Sequence, residues 1–91
     1  MTTAKRVLYE GRVQGVGFRF WVKEIAQGFD VVGTIENLPD GRVELVAQGE
    51  PDEVEAFLDE ILESSLKSHI QRHMDREVAV DPSLKGFRIV R

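Results

Sequence analysis

Cysteine is absent from this sequence of 91 residues, and positive charge is in the minority. Without cysteine the chain can form no disulfide, thiolate nucleophile or cysteine-ligated metal site. The 12 Lys and Arg residues against 16 Asp and Glu residues give a formal net charge of −4. An acidic domain is a poor general binder of nucleic acid or of an anionic membrane. Any anion-binding site in this chain must therefore be local.

Long apolar runs and a secretory signal are also missing. No stretch approaches the roughly 18 consecutive apolar residues of a membrane-spanning helix. The first five residues, MTTAK, lack the apolar core of a signal peptide. We therefore expect a cytoplasmic protein that contacts no membrane, with residues 1–91 forming a single domain.

Hydrophobic periodicity divides the first half of the chain into a strand, a helix and a hairpin. Apolar residues alternate with mostly polar ones over residues 5–13, which is typical of a half-buried strand. From Phe18 to Phe29 the apolar spacing is helical, and we expect this stripe and Trp21 to lie in the core. Residues 31–38 and 42–48 then alternate on either side of a Pro-Asp-Gly turn, which predicts a hairpin.

The second half of the chain predicts another helix and two more strands. Pro51 suits the first position of a helix, and the apolar residues after it keep helical spacing up to Leu62. The segment 66–80 mixes helical and alternating spacing, and its high polar content favours an edge strand with uncertain ends. Phe87 and Ile89 indicate a short last strand. This order predicts an α+β, ferredoxin-like β-α-β-β-α-β sandwich, with two helices on one face of an antiparallel sheet.

The junction between the first strand and the first helix is rich in glycine. Residues 11–19 read GRVQGVGFR. A glycine-rich loop before a helix can direct several main-chain N–H groups at one anion, and an arginine beside it can contact that anion in a bidentate way. The sequence therefore predicts a phosphate or acyl-phosphate site formed by the N–H groups of Gln14, Gly15, Val16, Gly17 and Phe18 and by the guanidinium of Arg19.

A second segment, GTIENLPDGRVE at residues 33–44, completes a pattern with the first. Together the two resemble the signatures of the acylphosphatase family, G-x-V-Q-G-V-x-F-R and G-x-V-x-N-x-x-D-G-x-V-E, with Ile35 in place of a valine. The ending FRIVR at residues 87–91 is similar to the family's usual close. The resemblance spans almost the whole chain.

This resemblance implies hydrolysis of the carboxyl–phosphate bond of acyl phosphates, giving a carboxylate and inorganic phosphate without a metal or other cofactor. It implies that Arg19 binds the phosphoryl group and that Asn37 holds the attacking water. It also implies a sheet of five strands in the order 4-1-3-2-5. The expected partners are a small-molecule acyl phosphate and, as product-like ligands, inorganic phosphate or sulfate. We expect the protein to be a monomer.

The reaction is compatible with these residue types. Phosphoryl transfer depends mainly on positioning and on stabilising charge at the phosphate oxygens. The leaving carboxylate is a weak base, with a pKa of about 4 by analogy with side-chain carboxyls, so no general acid is required. The amide of Asn37 does not titrate, and it can orient water but cannot act as a general base.

Simpler interpretations exist for each residue taken alone. Glycine-rich loops are commonly only turns, Arg19 fits a solvated helix position, and Asn37 fits a residue that flanks a turn. His69 and His73 are four residues apart and could face one metal on a helix, but a third ligand is missing from the pattern and we expect no metal site. It is the pairing of the two motifs that favours a functional site.

Two other functions compete with this interpretation. An RNA-binding module of similar topology displays aromatic residues on a central strand, and the run GFRFWV at residues 17–22 superficially resembles that signature. Here the aromatic residues begin a helix and the net charge is negative, so we expect no nucleic-acid partner. Acylphosphatase-like domains also occur at the front of larger carbamoyl-transferring maturation proteins. Because this chain stops after its last strand, we expect a free-standing enzyme.

Overall fold

A computed structural model describes residues 1–90, and Arg91, the last residue of the family-like ending, lies outside the described residues. The elements follow the predicted order of strands and helices. They are β1 (Thr3–Gly11), α1 (Phe18–Ala26), β2 (Val31–Asn37), β3 (Val43–Gly49), α2 (Pro51–Glu63), a short 3₁₀ helix (Ser65–His69), β4 (Ile70–Val78) and β5 (Phe87–Val90).

The five strands form one sheet in the order β4-β1-β3-β2-β5, which confirms the predicted order. The pairs β1–β3, β1–β4 and β2–β3 are antiparallel, but β2 and β5 are parallel. The prediction of a wholly antiparallel sheet is therefore wrong at this one pair. The connection 79–86 crosses one end of the sheet from β4 to the opposite edge. Since β5 starts at the end where β4 stops, it runs opposite to β4 and in the direction of β2.

The hydrophobic core lies between the sheet and the two helices. Helix α1 buries Phe18, Val22 and Ala26. Helix α2 buries Val54, Phe57, Leu58 and Ile61, and Leu62 packs against the core while partly exposed. Burying a side chain of this size contributes about 1.5–3 kcal/mol relative to leaving it in water. The largest fully buried side chains are Tyr9, Phe18, Phe57, Ile35, Leu45 and Ile61.

Trp21 does not belong to this core, contrary to the sequence-based prediction. Its side chain is 52% exposed, and that of its neighbour Phe20 is 55% exposed. The buried stripe of α1 runs through Phe18, Val22 and Ala26. At about 100° per residue, Trp21 lies roughly 100° around the helix from the centre of that stripe. Both rings lie on a helix and not on a central strand, where an RNA-binding sheet needs its aromatic residues.

The ambiguous segment 66–80 forms a 3₁₀ turn and then an edge strand. Leu66 is buried, and its N–H donates to the hydroxyl of Ser64 at 3.1 Å. Beyond it β4 pairs only with β1, which confirms the predicted edge strand and sets its bounds at Ile70–Val78. Leu66 and Met74 lie eight residues apart, a spacing that contributed to the helical pattern of this segment. Met74 is 48% exposed on this strand, so the two residues share no buried face.

Candidate active site

The loop between β1 and α1 owes its shape to two glycines in the left-handed region. Gly15 has a φ of 77° and Gly17 a φ of 78°. A Cβ on Gly15 would meet nothing within 4 Å, so backbone conformation, not space, requires glycine there. Turns of this kind direct neighbouring N–H groups to one side and form anion-binding concavities. The loop therefore has the glycine conformations that a concavity of this kind requires.

Helix α1 begins at this loop without a side-chain cap. Its N-cap is Gly17, and the first turn contains no acidic residue. The N–H of Trp21 donates to the carbonyl of Gly17 at 3.0 Å, which is the first hydrogen bond of the helix. The N–H groups before it have no acceptor within the helix, and the helix dipole places partial positive charge at this end. A bound anion would accept hydrogen bonds from these N–H groups and would interact favourably with the positive end of the helix dipole.

Phe18 fixes the position of the helix start. Its side chain is 1% exposed, and its ring centroid lies 5.3 Å from that of Tyr9 on β1. Burial, with a smaller contribution from the charge of Asp75, raises the pKa of the Tyr9 hydroxyl. Tyr9 therefore stays neutral and serves the core as an aromatic partner of Phe18.

A cavity of about 250 Å³ opens at this helix start. It brings Arg19 from α1 together with Asn37 from the last position of β2. Within residues 1–90, none of its lining residues is acidic, so no side-chain carboxylate of this range opposes a bound phosphate. The lining residues are Val13, Gly15, Gly17, Phe18, Arg19, Phe20, Asn37 and Ile89.

Four of the six residues predicted to bind phosphate line this cavity, and Gln14 and Val16 do not. The Nε2 of Gln14 donates to the carbonyls of Leu38 and Arg42, at 2.8 and 3.0 Å. Its side chain thus fastens the loop to the β2–β3 turn, next to Asn37. Val16 is 36% exposed at the surface of the loop. The role expected of both residues rests on their main-chain N–H groups, which belong to the same loop.

Arg19 is the only positively charged residue among those lining the cavity within residues 1–90. Its side chain is half-buried. Among the ion pairs of this part of the chain, none includes Arg19. A guanidinium that no carboxylate neutralises is available to an anion, and its planar N–H groups match the geometry of phosphate oxygens.

Asn37 carries an unpaired polar atom. Its Oδ1 is buried and has no hydrogen-bond partner within residues 1–90. A buried acceptor left unpaired costs about 1–3 kcal/mol, and such atoms commonly mark functional sites. A water molecule or a ligand in the cavity would satisfy this oxygen.

Three apolar residues of the cavity were not predicted. Val13 lies within the glycine motif and Phe20 directly follows it, so their closeness in sequence to Arg19 could have identified both. Ile89 arrives from β5, where it pairs with Ile35. No local signal in the sequence reveals that contact, because it depends on β5 lying beside β2.

A second, more open hollow of about 430 Å³ lies beside the β2–β3 turn. It contains the carboxylates of Glu10 and Asp40, which disfavour an anionic ligand. The Arg42 guanidinium there is paired with Asp40 at 2.8 Å. Hydrogen bonds from the side chain and main chain of Arg42 hold the pKa of Asp40 below its ordinary value. This hollow therefore lacks an available cation for phosphate.

Residues 1–90 contain neither a cluster of metal ligands nor a helix that could span a membrane. No group of three or more His, Cys, Asp or Glu side chains in this range has an arrangement suited to holding a metal ion. None of the helices described has the length and apolar character needed to cross a membrane.

Comparisons with known proteins identify the family of this chain. The acylphosphatase family model matches residues 5–89. An acylphosphatase of Staphylococcus aureus strain Newman is 38% identical over 81 residues, which cover 88% of this chain and 90% of that protein.

Solved structures give the same result. The crystal structure of an acylphosphatase from Bacillus subtilis matches with a TM-score of 0.87 and 32% identity over 100% of both chains. A structure of full-length HypF in its phosphate- and nucleotide-bound form matches with a TM-score of 0.89 and 36% identity, over 99% of this chain but 12% of HypF. Matches of this extent to sequence, family model and structure agree, and the chain belongs to the acylphosphatase family and is a hydrolase of acyl phosphates.

Proposed function

We propose that residues 1–91 act as one domain that hydrolyses the carboxyl–phosphate bond of small acyl phosphates without a metal. The observation that carries this proposal is the convergence of three features in one cavity, which has no acidic residue in its lining within residues 1–90. The first is the start of α1, which has no side-chain cap, and the second is the guanidinium of Arg19, which joins none of the ion pairs of residues 1–90. The third is the buried amide oxygen of Asn37, which has no hydrogen-bond partner in the same range.

In this proposal the phosphoryl group is bound by the loop and by Arg19. The N–H groups from Gln14 to Phe18 donate to its oxygens, and the guanidinium of Arg19 donates to two of them. These donors are fixed before substrate arrives, because Gln14 and Phe18 fasten the two ends of the loop. Preorganised donors stabilise charge that develops on the phosphate oxygens without further rearrangement.

Asn37 positions the attacking water. Its Oδ1 accepts a hydrogen bond from the water and turns the water's lone pair toward phosphorus. Since an amide does not titrate near neutral pH, Asn37 removes no proton. The proton of the water passes to a phosphate oxygen or to solvent.

The bond that breaks joins phosphorus to the acyl oxygen, and the carboxylate leaves with the bonding electrons. A leaving group with a pKa of about 4 needs no proton from the protein. This fits a cavity in which neither an acid nor a histidine is among the lining residues within the described part of the chain. The site is therefore suited to acyl phosphates and not to phosphate monoesters, whose alkoxide or phenoxide leaves poorly.

A pair of matched substrates tests the proposal. Benzoyl phosphate and phenyl phosphate share an aromatic ring and a phosphate, but the second releases a phenol with a pKa of about 10. We expect benzoyl phosphate to be hydrolysed faster by at least about 10³-fold, since a missing general acid costs about 10²–10⁴ in rate. Activity should persist unchanged in EDTA. Comparable rates on the two substrates, or a loss of activity that added Mg²⁺ restores, would contradict the proposal.

A further inference from the structure

We propose that Phe20 and Trp21 form a subsite for the acyl group and that this subsite selects apolar, above all aromatic, acyl phosphates. The inference rests on the proposed function, because it assigns the part of the same substrate that lies outside the phosphate cavity.

The first observation is an unusual concentration of exposed apolar surface. Six large hydrophobic residues are exposed within the described part of the chain, and three of them are Val16, Phe20 and Trp21. The two aromatic rings are 55% and 52% exposed. Aromatic residues are also weaker helix formers than Lys, Glu or Ala, so their exposed positions on α1 have no local structural advantage.

The second observation is that the two rings continue the wall of the phosphate cavity. Phe20 lines the cavity itself. Its ring packs edge-on against that of Trp21, with centroids 5.7 Å apart and an interplanar angle of 77°. Trp21 in turn lies over Gly17, where an added Cβ would be 3.7 Å from the indole Cδ1. An apolar surface therefore leads directly from the phosphate donors to solvent.

The covalent bond between the acyl group and the phosphoryl group determines which part of the substrate contacts Phe20 and Trp21. The acyl group is bonded to the phosphoryl group, so it must leave the cavity along one of its walls. The lining of the cavity also includes the apolar residues Val13 and Ile89. Offset and edge-on contacts with Phe20 and Trp21 would stabilise an aromatic acyl group beyond the simple burial of its area.

Charge argues against acyl groups that carry a second anion. Within residues 1–90, the lining of the cavity contains no cation besides Arg19, and the proposed mechanism uses Arg19 for the phosphoryl group. A carboxylate or second phosphate on the substrate would lie against aromatic carbon without a counter-charge. The subsite therefore favours uncharged acyl groups.

The test compares benzoyl phosphate with acetyl phosphate in wild type and in a Phe20→Ala/Trp21→Ala double variant. We expect kcat/KM for benzoyl phosphate to fall by about tenfold, as the loss of one or two aromatic contacts predicts, and kcat/KM for acetyl phosphate to change by less than about twofold. Inhibition by inorganic phosphate should be unchanged. Met74→Ala, at a side chain 48% exposed on β4, is the matched control and should alter neither substrate.

Binding can be measured independently of turnover, because Trp21 is the only tryptophan of the chain. Its fluorescence should change when benzylphosphonate binds and change much less with methylphosphonate. An inactive wild type would overturn the proposed function. An active wild type whose preference for benzoyl phosphate survives the double substitution, or whose two activities fall equally, would overturn the subsite alone. The same holds if Trp21 fluorescence responds equally to both phosphonates.

Discussion

The loop before α1 and the β2–β3 turn use the same kind of residue for opposite purposes. Both contain a glycine with positive φ around which a Cβ would meet nothing within 4 Å, namely Gly15 at 77° and Gly41 at 96°. In the turn the polar groups pair with one another. The N–H of Leu38 donates to the carbonyl of Arg42 at 2.8 Å, and the side chain of Asp40 accepts from the main chain and side chain of Arg42 at 3.0 and 2.9 Å.

The loop before α1 differs because, among residues 1–90, no side chain caps the helix start and no carboxylate pairs with its arginine. The N-cap residue Gly17 has no side chain to accept from the first N–H groups of the helix, and the guanidinium of Arg19 is not held by an ion pair within that range. A glycine with positive φ thus does not by itself distinguish a turn from an anion site. A turn and an anion site differ in whether the neighbouring polar groups are paired within the protein or remain available to a ligand.

The largest effect is expected at Arg19, the cation of the open loop. Arg19→Ala should lower kcat/KM for benzoyl phosphate by at least about 10³-fold, in the range measured when a transition-state arginine is removed. The same variant should bind inorganic phosphate more weakly. Arg76→Ala on the exposed edge strand removes an equal charge and should retain wild-type activity. An Arg19→Ala enzyme with near-normal turnover would refute the role assigned to this side chain.

Asn37 is expected to affect turnover and not phosphate binding. Asn37→Ala should lower kcat by about 10²-fold or more, as the loss of a fixed polar group at a reacting centre does in other hydrolases. The inhibition constant of inorganic phosphate should stay within about twofold, since Arg19 and the loop remain. Thr34→Ala, on the same strand but outside the cavity, provides the control. Loss of phosphate binding in Asn37→Ala would make Asn37 a phosphate ligand.

The variants Gly15→Ala and Gly41→Ala form a matched pair that compares the loop before α1 directly with the β2–β3 turn. Each adds a methyl group in open space and each forces alanine into the left-handed region, which costs about 1–2 kcal/mol of stability. Urea unfolding should therefore give similar losses for the two variants. Activity should separate them, with about a tenfold fall for Gly15→Ala because its N–H donors shift, and little change for Gly41→Ala. Equal activities would remove the distinction between loop and turn.

The smallest effect is expected at Asp40, within the turn. Hydrogen bonds from Arg42 lower the pKa of Asp40 from its ordinary value of 3.8, so the folded state favours the charged carboxylate. Its contribution to stability is full above that ordinary pKa and is lost as pH falls through the lowered one. Wild type should exceed Asp40→Asn slightly in free energy of unfolding at neutral pH, and the difference should vanish in acid. A difference that grows on acidification would contradict this sign.

Much of this fold follows from local pattern, and what does not follow depends on distant contacts. The helical spacing after Pro51 and the alternation around the hairpin reflect single buried faces, so the sequence predicts them. The direction of β5 is set by the path of residues 79–86 across the sheet, which leaves no local trace. Ile89 enters the cavity for the same reason.

The candidate site also has features that the sequence predicts and features that it does not. The positive φ of Gly15 and Gly17 and the helix start at Phe18 follow from glycine's conformational freedom and from the change of hydrophobic period. The exposure of Trp21 does not, because an aromatic residue beside an apolar stripe fits either the core or the surface. Its position over Gly17 becomes visible only in three dimensions.

The most direct test of the account is a titration with inorganic phosphate followed by two-dimensional ¹H–¹⁵N NMR. We predict saturable shifts of the main-chain N–H resonances of residues 14–18 and of the Arg19 Nε–H, and no comparable shift at Gly41 or Arg42. The Arg19→Ala variant should weaken the same titration. Phosphate-dependent shifts centred on the β2–β3 turn, or no saturable shift in the loop, would contradict the claim that open N–H groups and one guanidinium form the anion site.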